Sequence, residues 1–165
     1  MRYAGIIKND IAAAPGVCVT FFTQGCPHRC EGCHNPETWD FDGGKEFSPE
    51  VIDELIKALK ANGVERKFCV MGGEPLCEEN LELTNMVISQ IKEWLPRTEV
   101  YVWTGYIYED LLNKNNPLIE NILRQTNVLI DGPYIQRERD ITCEMRGSRN
   151  QRIIQLTKTK KNDII

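Results

Sequence analysis

A chain of 165 residues is long enough for one proper hydrophobic core and is taken as a single domain, residues 1–165. Its 41% hydrophobic and 27% charged residues are those of an ordinary soluble globular protein, and a net charge of −4 offers no electrostatic footprint for nucleic acid. No apolar run approaches a membrane span, and the opening MRYAGIIKND carries no export signal. Seven cysteines in such a chain therefore point to the reducing cytoplasm, where thiols serve metals and redox chemistry.

Tyr3 to Ile7 and Val17 to Phe22 read as two short strands, with Pro15-Gly16 as a turn between them. Ser48-Pro49-Glu50 starts a helix whose apolar face is Val51, Ile52, Leu55, Ile56 and Leu59, with Gly63 at its expected end. Phe68 to Met71 is a buried strand running into Gly72-Gly73-Glu74-Pro75. The next helix, Glu79 to Trp94, presents Leu83, Val87, Ile91 and Trp94 on one face. Val100 to Trp103 is a strand ending in Thr104-Gly105-Tyr106, and helical segments follow at Tyr108 to Asn113 and Pro117 to Gln125. Val128 to Asp131 is the next strand. A polar, basic stretch from Arg137 to Arg152 then leads to a last apolar run, Ile153 to Leu156. Strand–helix alternation implies βαβ crossovers and a mostly parallel α/β sheet. The units are too few to close an eight-stranded barrel, so the expected architecture is a partial, open βα barrel.

Between the second strand and the first helix lies FFTQGCPHRCEGCHNPETWDF, Phe21 to Phe41. Cys26, Cys30 and Cys33 stand in a C-x3-C-x2-C spacing, and Gly25, Pro27 and Gly32 let the loop fold back so that they converge. Thiolates suit zinc or iron–sulfur clusters. Structural zinc sites draw four ligands from separated pairs, and clusters normally use four cysteines. Three cysteines on a 4Fe-4S cube leave one iron open to a substrate or cofactor. With His28 or His34 added, the same residues spell a Cys3His zinc site, and the loop alone leaves both open. In parallel βα architectures sites form at the carboxyl ends of strands. The cysteine loop, Gly72 to Pro75, Thr104 to Tyr106 and Asp131-Gly132 all sit at such ends and are expected to face one cavity.

C-x3-C-x2-C resembles the signature of the radical S-adenosylmethionine superfamily, and CHNPETWD resembles its glycyl-radical-enzyme activases. Gly72-Gly73-Glu74 resembles the superfamily's GGE motif. The tail string Arg146 to Arg152 resembles the RGS-x-NQR segment of activating proteins of anaerobic ribonucleoside-triphosphate reductase, as do WTGY at Trp103 and DGPY at Asp131. The resemblance covers about Gly16 to Ile154.

It implies a 4Fe-4S cluster on Cys26, Cys30 and Cys33, with S-adenosylmethionine on the open iron. Gly72, Gly73 and Glu74 would support its methionine part, and His34, Asn35, Thr104 and Asp131 are further candidate contacts. It implies reductive cleavage to a 5′-deoxyadenosyl radical that takes a hydrogen atom from a glycine of the reductase. Reduced flavodoxin or ferredoxin would supply the electron. The chain has no Arg-x-x-Gly-Tyr-like string of its own, so the activated glycine is expected on another protein. The alternatives are an activase of another glycyl radical enzyme, of the formate-lyase type, or a small electron-transfer or zinc protein. Cys18, Cys69, Cys77 and Cys143 are expected to be small apolar residues or inert thiols. The Arg137 to Arg152 tail is the expected docking surface.

Overall fold

The computed structural model describes residues 1–156. Its seven strands are β1 (Arg2–Asp10), β2 (Val17–Thr23), β3 (Lys45–Glu46), β4 (Arg66–Gly72), β5 (Val100–Trp103), β6 (Val128–Asp131) and β7 (Arg152–Gln155). Four helices join them: α1 (Pro49–Leu59), α2 (Glu78–Trp94), α3 (Tyr108–Asn113) and α4 (Pro117–Gln125). The strands form one sheet in the order β3-β1-β2-β4-β5-β6-β7. β2, β4, β5 and β6 pair in parallel, and only β1 and β7 run against the other five. The sheet is therefore mostly parallel and does not close, since β3 and β7 remain as edges.

Side-chain alternation divides the sheet into two unlike faces. Val19 and Phe21 of β2, Phe68 and Val70 of β4, Val100 and Val102 of β5 and Leu129 of β6 point to one side. There they form a single core with the apolar stripes of all four helices. Cys18, Cys69, Tyr101, Val128 and Ile130 point to the other side, where no helix of the described residues packs. That face is covered by Ala13 and Ala14 at one edge and by Met145 at the other. Asp10 holds the first cover down: Oδ1 accepts the N–H groups of Ala12 and Ala13, and Oδ2 accepts the Thr20 hydroxyl at 2.7 Å. One-sided helix packing thus leaves the second face free to wall a cavity.

β5, α3, α4 and β6 occupy the expected residues, and β2, β4 and α2 differ by one or two residues at their ends. Trp94 departs from the expected face and is 63% exposed. The i, i+4 series Leu83, Val87, Ile91 continues to Leu95, which packs against the core in its place. α1 stops at Leu59, and a 3-10 turn at Ala61–Gly63 carries the chain through left-handed Asn62 and Gly63.

Candidate functional site

β2 and β4 end side by side, with Thr23 opposite Gly72, and the turns that follow them are stitched together by main-chain bonds. Gly73 N–H donates to Thr23 O at 2.9 Å and Glu74 N–H to Gly25 O at 2.8 Å. The approach is so close that a Cβ on Gly73 would lie 2.3 Å from Gly25 O. Gly25 itself has φ +96°, and the Phe41 ring occupies the place of its missing side chain. The far end of the loop returns to the same point, through Gly25 N–H to Thr38 O and Cys26 N–H to Trp39 O.

Folded this way, the loop puts Cys26, Cys30 and Cys33 on the wall of one cavity of about 620 Å³. That volume lies within the range of small-molecule sites. Cys33 Sγ accepts the Asn35 N–H at 3.4 Å, while the main chain of His28 and Arg29 at Cys26, and of Tyr134 at Cys30, favours the thiolate form. Burial pushes the Cys26 and Cys30 thiols above their ordinary values, so both are neutral until a metal displaces the proton. Among the described residues no three His, Cys, Asp or Glu side chains converge as ligands of a single ion. A 4Fe-4S cluster asks for something else, a cysteine thiolate at each ligated corner, normally four, with hydrogen bonds toward the sulfurs. The three thiols on one wall suit three of those corners.

Glu74, 1% exposed, is the electrostatic centre behind this wall. Oε1 accepts the Leu76 N–H at 2.9 Å and the Thr104 hydroxyl at 2.7 Å. Oε2 accepts the Gly105 N–H at 2.7 Å and lies 2.9 Å from His28 Nε2. The His28 ring stands edge-on to Tyr106, with centroids 4.6 Å apart. This occupied ring weakens the Cys3His zinc alternative drawn through His28.

Residues 12–154 match the family described as a 4Fe-4S single cluster domain. The anaerobic ribonucleoside-triphosphate reductase-activating protein of Vibrio cholerae serotype O1 is 33% identical over 158 residues, 95% of this chain and 99% of that protein. Its namesake from Escherichia coli K12 is 32% identical over 152 residues, 92% of this chain and 96% of that protein. The one from Enterobacteria phage T4 is 33% identical over 155 residues, 93% of each. The chain belongs to the family of anaerobic ribonucleoside-triphosphate reductase-activating proteins.

Within this family member, His34, Asn35, Gly72, Gly73, Glu74 and Thr104 line the cavity together with the three cysteines. Gly72 has φ +107°, and a Cβ there would lie 2.9 Å from Phe22 Cα, so close chain packing already explains the glycine. Thr104 is 4% exposed; it donates to Glu74 and accepts the Tyr106 N–H at 3.2 Å. Asp131 is placed differently. It is fully buried, Arg152 meets both of its oxygens, and the Tyr108 N–H at the start of α3 donates to Oδ2 at 2.8 Å.

The tail motif spends its donors inside the molecule. Asn150 Nδ2 donates to Pro133 O at 2.7 Å, Gln151 Nε2 to Gly132 O at 3.0 Å, and Arg152 to Asp131. Three consecutive tail residues thus grip three consecutive residues at the end of β6. Arg149 stays exposed. Cys18, Cys69 and Cys77 are buried, whereas Cys143 lines the cavity. Sequence reasoning missed the grip of His28 on Glu74 and the clasp of Asn150 and Gln151 on β6. Their partners lie 46, 17 and 19 residues away, and no local spacing signals them.

Proposed function

We propose that this protein activates anaerobic ribonucleoside-triphosphate reductase by generating a glycyl radical on it, as a cytoplasmic radical S-adenosylmethionine oxidoreductase. The observation that carries the reading is the placing of three C-x3-C-x2-C thiols on the wall of a cavity onto which the ends of β4, β5 and β6 also open. Cys26, Cys30 and Cys33 would hold the 4Fe-4S cluster, and the strand end at Gly72 to Glu74 would receive the methionine part of S-adenosylmethionine. When bound, the pair would supply one-electron cleavage of the cofactor and a 5′-deoxyadenosyl radical for hydrogen abstraction from the reductase glycine. An outside donor such as reduced flavodoxin or ferredoxin provides the electron. The one-sided sheet, with helices on one face and the cavity on the other, is best read as the wall of a partial βα barrel.

The chain's own residues do the preparatory work. The main chain at Cys26, Cys30 and Cys33 offsets charge on the thiolates, and hydrogen bonds to sulfur set cluster potentials. Phe22, Met71 and Trp103, half-buried on the helix-free face, give the cavity an apolar floor that keeps water from a reactive intermediate. His34 and Asn35, which line the cavity beside the last thiol, would touch the cofactor. Asp131 supports the site from behind, as the anchor of α3 and β7.

Mixing the loaded protein anaerobically with the reductase, S-adenosylmethionine and a reductant tests the proposal by paramagnetic resonance. A glycyl doublet on the reductase is expected with the wild type and none with Cys30→Ala. A formate-lyase-type partner run alongside separates the two activase readings. A doublet there and none on the reductase would reassign the partner.

A further inference from the structure

We propose that Glu74 is a positioning residue that latches the cluster loop in place through His28. Its carboxylate would then not be the group that takes the amino end of the cofactor. The inference rests on the reading of Cys26, Cys30 and Cys33 as cluster ligands.

A carboxylate offers about four lone-pair sites, and Glu74 has four donors from its own chain. They are Leu76 N–H, the Thr104 hydroxyl, Gly105 N–H and His28 Nε2, all between 2.7 and 2.9 Å. Glu74 borders the cavity, but at 1% exposure and with these four partners its carboxylate has no free acceptor site for a ligand amine. An incoming ammonium would have to displace one of these buried bonds and leave its donor unpaired, which costs about 1–3 kcal/mol.

His28 stands midway between Cys26 and Cys30 in the chain, so fixing its ring fixes the turn that carries both thiols. The strand ends are shaped to hold that ring. Gly105 packs so closely on it that a Cβ would lie 2.6 Å from His28 Cδ2, and Tyr106 closes its other side. Glu74 and Gly105-Tyr106, from the ends of β4 and β5, thus meet on the cluster loop itself. Groups that orient metal ligands in this way matter nearly as much as the ligands.

The test uses wild type, His28→Leu, His28→Gln, Glu74→Gln, the His28→Leu/Glu74→Gln double variant and Cys30→Ala, all reconstituted anaerobically with iron and sulfide. Three quantities are read: iron loss to a chelator, the resonance spectrum of the reduced cluster without cofactor, and the Kd for S-adenosylmethionine. The latch predicts iron loss about tenfold faster in His28→Leu and in Glu74→Gln, with the same altered spectrum in both. The double variant should be no worse than the weaker single, because one interaction is removed twice. His28→Gln, whose amide can still donate to Glu74, should recover most of the retention.

Wild-type retention and spectrum in Glu74→Gln, with cofactor binding lost there and kept in His28→Leu, would make Glu74 a direct cofactor contact and overturn the proposal. If Glu74→Gln does not fold, unchanged iron retention in His28→Leu overturns it alone. Cluster loading by Cys30→Ala equal to wild type would instead remove the ligand assignment beneath both readings.

Discussion

Arg152 sets its Nε 2.9 Å from Oδ1 and a terminal nitrogen 2.5 Å from Oδ2 of Asp131, a carboxylate with no exposed surface. The same guanidinium reaches Glu109 at 2.7 and 3.1 Å, so one side chain ties the sheet edge β7 to β6 and to the first turn of α3. Removing Arg152 strands a buried charge. Arg152→Ala should therefore cost about 3 kcal/mol, at the low end for buried pairs because the arginine side chain is 30% exposed. Urea unfolding measures this directly, and a loss under about 1 kcal/mol would mean that Asp131 is not held as described.

Gly73→Ala introduces a methyl group 2.3 Å from a main-chain oxygen, and that oxygen already accepts bonds from Glu74 N–H and Asn80. Neither strand end can retreat without breaking the stitch between β2 and β4. A cost of about 2 kcal/mol in thermal unfolding is expected, together with reduced iron uptake. Wild-type stability and iron content in this variant would show that the two turns are more yielding.

Burial pushes the Cys77 thiol up to about 12, and its Sγ donates to Glu74 O at 3.1 Å. At pH 8 it lies far below that value and stays protonated, buried and inert. Alkylation of the cluster-free protein, read by peptide mass, should label Cys30, Cys33 and Cys143 and spare Cys69 and Cys77. Rapid labelling of Cys77 would mean that the start of α2 opens readily.

Charge reversal at exposed Arg149 tests docking on the tail, since its neighbours Asn150, Gln151 and Arg152 are engaged internally. Arg149→Glu should slow association with the reductase and steepen no loss of fold, because a rim charge acts mainly on encounter. Unchanged association kinetics would move the docking surface elsewhere.

The elements that sequence exposed best are those with purely local signals. Apolar runs mark β2, β4, β5 and β6, while Pro49 and Pro117 at first helical positions mark α1 and α4. The cysteine spacing, Gly72 to Pro75 and Thr104 to Tyr106 were legible as strand-end groups for the same reason. Strand direction is not local: β1 and β7 run against the parallel core, and nothing in their residues says so. β3 pairs over two residues, too few for any periodicity. Asp131 illustrates the limit at the site. Its position at a strand end suggested a ligand contact, but its partner, Arg152, lies 21 residues on, in a motif that reads as a surface.

The most direct measurement is anaerobic turnover of S-adenosylmethionine by the iron- and sulfide-reconstituted protein with a strong reductant, scoring 5′-deoxyadenosine against Cys30→Ala. Product is expected from the wild type and none from the variant. A wild-type protein holding a full, reducible cluster that forms no product, even with the reductase present, would contradict the proposed function.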